Sequence, residues 1–272
     1  MNKLNQSDIL KLLYRMYNEE DKTVYVGSAA KFECDIKGEH GLFKERISVQ
    51  SKDHIMEQVV YELASIVNVK CCKASCRKVK EWYGAFSRFE IPDGCQFIHA
   101  ESIFGTNEIF VDKLFEKSLQ LTKNKVNKFN VNLYQYILFD YITGQHDRHL
   151  ENLALIKRDR IYTWYPLYDN GICCFSVLSN DTAIEALNKG FFDTRIGTSY
   201  EILEALYKYR NTIYKGNILD MVNYSKVNKE LLLDIIDRAD KYKQLGIRRR
   251  EATANFIMKQ IETIDLLNYR RL

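Results

Sequence analysis

The chain has 272 residues, 46% apolar and 28% charged, with a formal net charge of +4. That length suits one large domain or two closely packed lobes with a sizeable core, and +4 is too mild a charge to argue for direct nucleic-acid binding. Two prolines and no low-complexity tract exclude long disordered regions, and no apolar run reaches the ~18 residues of a membrane span.

The first segment, residues 7 to 18, carries Ile9, Leu10, Leu12, Leu13, Met16 and Tyr17 at helical spacing, with Ser7 or Asp8 as its N-cap. Thr23 to Val26 and Lys31 to Ile36 read as strands joined by Gly27-Ser28-Ala29-Ala30. A turn over Gly38-Glu39-His40-Gly41 leads to a third strand, Leu42 to Glu45. Residues 53 to 67 put Ile55, Val59, Val60, Leu63 and Ile66 or Val67 on one helical face. Val79 to Phe89 is aromatic and strand-like, and Ile91-Pro92-Asp93-Gly94 breaks it. These elements make a small β-rich N-lobe over residues 1–95.

From about residue 106 the pattern turns helical, giving a mostly α-helical C-lobe over residues 96–272. Asn130 stands as the cap of a helix bearing Val131, Tyr134, Ile137, Leu138 and Tyr141, which Gly144 stops. His146-Asp147-Arg148-His149-Leu150-Glu151-Asn152 follows as a loop. Leu153 to Ile156 and Ile161 to Tyr168 form a hairpin around Lys157-Arg158-Asp159-Arg160, ending at Asp169-Asn170-Gly171. Segments near 180–190, 199–213, 227–242 and 248–267 read as helices, and Arg248-Arg249-Arg250 reads as a solvated helix start. The class is α+β, with a cleft between the lobes. The N-terminus, Met1 to Tyr17, lacks an uncharged leader core. The seven cysteines lack a matched pair of zinc-spaced doublets, so free thiols in a reducing, cytoplasmic compartment are expected.

The loop and the hairpin end place an acid, an amide and a second acid within little more than twenty residues. Phosphoryl transfer from ATP uses this inventory: one carboxylate takes the acceptor proton, while an amide and another carboxylate hold Mg²⁺. Asp147 is the candidate base, with Asn152 and Asp169 as metal ligands. His149 either bonds the loop or lies near the transferred group, and Arg148 either neutralises phosphate or pairs with Glu151. In the N-lobe, Lys44 is placed to contact phosphates, Glu57 to hold Lys44, with Glu62 as its rival, and Gly27, Ser28 and Lys31 to flank a phosphate-covering turn. Gly171 permits close approach of the chain.

Taken together, these residues resemble the HipA-like serine/threonine kinases, which share a two-lobed protein-kinase-like fold with the phosphatidylinositol 3- and 4-kinases. Gly27 to Lys31 with Gly41-Leu42-Phe43-Lys44 looks like that family's phosphate loop and lysine strand. Glu57 with Leu63-Ala64-Ser65-Ile66-Val67 looks like its glutamate helix. His146 to Asn152 is similar to its catalytic loop, and Tyr165-Pro166-Leu167-Tyr168-Asp169 to the segment ending in its metal-binding aspartate. Asn170-Gly171 stands where protein kinases have Phe-Gly. The resemblance implies transfer from ATP with Mg²⁺ to a serine or threonine of a bacterial protein substrate, an antitoxin-type or regulatory protein partner, and autophosphorylation at Ser28. Alternatives are a lipid or small-molecule kinase of the same fold and a catalytically weak nucleotide-binding module.

Overall fold

The computed structural model describes residues 31–36, 38–79, 82–105, 109–123, 127–213 and 221–269. The expected helix at 7–18, the strand at Thr23 to Val26, and Gly27 and Ser28 lie outside the described residues.

Four antiparallel strands form the first sheet: β1 (Lys31–Ile36), β2 (Glu39–Glu45), β3 (Ala74–Val79) and β4 (Trp82–Ser87), in the order β1-β2-β4-β3. Helix α1 (Asp53–Val67) packs on β3 and β4, burying Ile55, Val59, Val60, Leu63 and Val67. The register pairs Phe43 with Phe86 across β2 and β4. The Phe43 ring covers Gly84 and the Phe86 ring covers Gly41, so a Cβ at either glycine would strike a ring. Each glycine thus makes room for its neighbour's large side chain.

Two strand boundaries differ from the sequence reading. β2 begins at Glu39, so the turn tightens onto Gly38 (φ 80°). Val79 closes β3 instead of opening β4; Ala74-Ser75-Cys76-Arg77-Lys78-Val79 contains only one strongly strand-favouring residue, yet it buries Ala74, Cys76 and Val79.

The rest is chiefly helical. β5 (Gln96–His99) precedes a short α2 (Glu101–Phe104), then α3 (Val111–Leu121) and α4 (Lys128–Thr143). β5 pairs with β6 (Ala154–Arg158), which pairs with β7 (Ile161–Trp164). Next come α5 (Asn180–Lys189), a two-residue ladder of β8 (Asp193–Thr194) and β9 (Gly197–Thr198), α6 (Ser199–Ile213), α7 (Lys229–Ala239) and α8 (Ile247–Tyr269).

Asn127 caps α4, its side chain accepting from the N–H groups of Phe129 and Asn130. Asn130 is instead fully buried, donating to Thr122 Oγ1 and accepting from Ser118 Oγ. Gly144 (φ 58°) ends α4 in the left-handed conformation, under the Phe256 ring. The returning strand stops at Trp164, and residues 165–169 leave the hairpin to run beside the α1–β3 connection. Arg249 does not belong to a solvated run: it is buried at the start of α8, while Arg250 pairs with Asp237. All seven cysteines are free thiols.

Candidate active site

Asp169 is carried to Lys31 and Lys44 by the 165–169 segment. Leu167 N–H donates to the Lys70 carbonyl at 3.0 Å and Cys72 N–H to the Leu167 carbonyl at 2.8 Å. The backbone then turns through a left-handed residue at Asp169 (φ 53°), a conformation that aspartate accepts more readily than most residues. Lys44 donates to Asp169 Oδ1, and Lys31 Nζ donates to Oδ2 at 3.1 Å. Burial would raise the carboxyl pKa, but these two ammonium groups hold it well below the ordinary range. Burial equally opposes the charge on Lys44, yet Asp169 and then Glu57 carry its pKa above the usual lysine value.

Glu57 differs from its expected use. Its Oε1 accepts the Asn170 N–H at 2.9 Å, while the lysine is taken by Asp169. Burial first, then the charge of Asp169, pushes the Glu57 carboxyl up to about 7. The rival Glu62 pairs with Arg238 on α7, away from Lys44. Gly171 explains why the chain can pass here: a Cβ would lie 2.7 Å from the Asp53 carbonyl and 3.0 Å from Glu57 Oε2.

The 146–152 loop is built around a buried cation. Arg148 has no solvent exposure. It donates Nε and Nη2 to the Asp140 carboxylate at 2.8 and 2.9 Å, Nη1 to the carbonyls of Asn152 and Tyr168, and Nη2 to Asn170 Oδ1 at 2.6 Å. Arg148 therefore neither meets a phosphate nor pairs with Glu151; it ties the loop to the 165–169 segment that delivers Asp169.

Asp147 is held at the loop's outer edge. Its N–H donates to Gln145 Oε1, and Asn152 Nδ2 donates to its carbonyl at 3.0 Å. Committing that amide nitrogen leaves the Asn152 side-chain oxygen as the end able to meet a cation. His149 lies with Nε2 4.0 Å from Asp147 Oδ2 and Nδ1 3.5 Å from Glu151 Oε2. Burial lowers its pKa, partly offset by Asp147. His146 turns away, its Nδ1 3.0 Å from the Asp193 carbonyl and its ring against Phe175.

The sequence reading missed Arg195. Its Nε lies 2.8 Å from Asp147 Oδ1. The turn that carries it is fixed by buried Ile196, whose carbonyl accepts the Val111 N–H, and by Thr194 Oγ1 donating to the Gly197 carbonyl. Nothing local in Thr194-Arg195-Ile196-Gly197 marks it, since the partner lies 48 positions away.

The fold thus gathers Lys31, Lys44, Glu57 and Asp169 in one group, and Asp147, His149 and Asn152 in another, with Arg148 and Asn170 bonded between them. A half-buried carboxylate and an amide oxygen tied through one arginine suit a hard cation such as Mg²⁺, and two ammonium groups on one carboxylate suit phosphate oxygens. Among the described residues no group of three or more His, Cys, Asp or Glu could hold a metal by itself. None of the helices there is long and apolar enough to cross a membrane.

No protein-family model matches the sequence, and no curated protein matches it. Solved structures do. The proinflammatory kinase CtkA of Helicobacter pylori superposes with a TM-score of 0.68 at 11% identity, covering 92% of this chain and 94% of that one. HipA, from the Shewanella oneidensis MR-1 toxin–antitoxin complex of HipA, HipB and operator DNA, superposes with a TM-score of 0.55 at 11% identity, covering 97% of this chain and 73% of that one. The chain has the fold of the HipA-like kinases.

Proposed function

We propose that this chain is an ATP- and Mg²⁺-dependent kinase that phosphorylates a serine or threonine hydroxyl of a protein in the cytoplasm. Residues 1–95 act as the nucleotide lobe and 96–272 as the catalytic lobe. The observation that carries this reading is Asp169 held between Lys31 and Lys44 and joined through Asn170 and Arg148 to the loop of Asp147 and Asn152. A merely structural acid has no need of two ammonium groups and a shared brace to a second acid.

MgATP, when bound, would supply the phosphoryl group, and its Mg²⁺ would neutralise the charge that builds there. Asp169 and the Asn152 amide oxygen would hold the metal, and Lys44 and Lys31 would turn from Asp169 to phosphate oxygens. Asp147 accepts the proton of the acceptor hydroxyl, which requires Arg195 to give up its contact. Glu57 keeps Asn170, and so Asp169, in place. The likeness to HipA, which is seen with HipB, supports a regulatory protein partner of the antitoxin kind; Ser28 as an autophosphorylation site rests on the sequence resemblance of the Gly27–Lys31 segment alone.

Calorimetric titration of ATP with and without Mg²⁺ tests the cleft. Wild-type protein should bind in a Mg²⁺-dependent manner that Asp169→Asn loses. Absence of nucleotide binding by the wild type would sink the kinase reading.

A further inference from the structure

Arg249 lies outside that machinery and is 1% exposed. Its Nη2 donates to the Cys174 carbonyl at 2.6 Å, but Nε and Nη1 have no partner. Burial pulls its pKa down to about 10, opposed only by the thiols of Cys174 and Cys173. A buried guanidinium normally has a carboxylate or a full set of acceptors.

A second cation lies near enough for the Arg249 charge to act on it. Lys52, the residue before α1, is largely buried, and its Nζ donates to the Gln50 carbonyl at 2.8 Å. Burial lowers its pKa, and the charges of Arg46 and Arg249 lower it further. Both residues are tied to one turn, Lys52 by its backbone N–H, which donates to the Ser176 carbonyl, and Arg249 by its side chain, which donates to that of Cys174.

Two carboxylates lie nearby, and both are engaged elsewhere. Asp240 accepts the N–H groups of Gln244 and Leu245 at 2.7 and 2.8 Å. Asp53 accepts from Ser51 Oγ and the Ile47 N–H. Lys52, Arg249 and Arg46 outnumber them, and the buried Gln244 Nε2 also lacks an acceptor. The surplus is positive charge and N–H donors.

We propose that Arg249 and Lys52 form a binding site for a small oxyanion, with inorganic phosphate as its type, behind the 173–176 turn. Water would satisfy donors but leave the charge unbalanced; a phosphate does both. The enclosure of Arg249 favours a free ion over a phosphate displayed on another macromolecule. The bound ion would join the start of α1, the start of α8 and the turn following Asp169. The proposal does not depend on the kinase reading.

Thermal unfolding of the full chain in phosphate, against chloride at equal ionic strength, tests it, with phosphate titrated by calorimetry. At a phosphate concentration of about 100 times Kd the midpoint should rise by roughly 5 °C or more. Arg249→Met should abolish the rise, and Lys52→Gln should weaken phosphate at least about tenfold, an arm that serves if the first variant does not fold. Lys44→Met should retain the rise, which separates this site from the nucleotide cleft. No phosphate-specific rise in wild type, a rise that survives Arg249→Met, an undiminished phosphate affinity in Lys52→Gln, or a rise lost in Lys44→Met would overturn the assignment.

Discussion

Arg148 and Asp140 form a two-pronged ion pair, Nε to Oδ2 and Nη2 to Oδ1, with the arginine wholly sealed from solvent. Burial raises the Asp140 pKa and the arginine partly offsets it. Arg148→Ala leaves that carboxylate, two carbonyls and Asn170 without their shared donor. It should cost about 3–5 kcal/mol, read by chemical denaturation. A loss below about 1 kcal/mol would mean that the loop does not depend on this pair.

Asp147→Ala should lower phosphoryl transfer by about 10²-fold or more, as loss of a general base does, while nucleotide affinity changes little. Single-turnover rates and calorimetry on the same preparation check both parts. An unaltered rate would remove Asp147 from the base role.

Arg195 pairs with Asp147 but is itself 60% exposed. Exposed pairs contribute little to stability, so Arg195→Ala should shift the unfolding midpoint by less than about 2 °C. Its contact with the base predicts instead a changed KM for the acceptor, with the KM for MgATP held. An equal change in both constants would argue against an acceptor-side role.

Stability should depend on pH through Glu57. Its carboxyl, pushed up to about 7, binds a proton more tightly folded than unfolded. Its contribution is therefore fully present below the ordinary glutamate value and is lost as pH rises toward about 7. Asp169 runs the other way: its lowered pKa adds stability above the ordinary aspartate value and loses it in acid. Denaturation midpoints between pH 5 and 8 should decline for wild type and flatten for Glu57→Gln. Parallel slopes for the two proteins would reject the assignment.

Amphipathic segments were legible to the residue: α1 and α6 match the spans 53–67 and 199–213 read from spacing. β3 was not, because small and charged residues fill it and its order comes from pairing with β4 and packing on α1. The two acids and the amide were visible as a local pattern. Partners set by distant chain were not. Arg148 looks like a phosphate ligand until Asp140 closes on it from the preceding helix. Arg249 looks like part of a solvated run until α8 turns it inward. Sequence spacing carries the residue type that chemistry needs; which neighbour neutralises it is a tertiary property.

Asn170 closes three circuits at once: its N–H on Glu57, its amide oxygen on Arg148 and its amide nitrogen 3.4 Å from Cys71 Sγ. Helix α1, the loop of Asp147 and the crossing into β3 thus share one rivet. A breathing motion that keeps the rivet intact cannot slide α1 over the floor of the cleft. It must instead tip β1 and β2, so that Lys31 and Lys44 travel while Asp169 stays still.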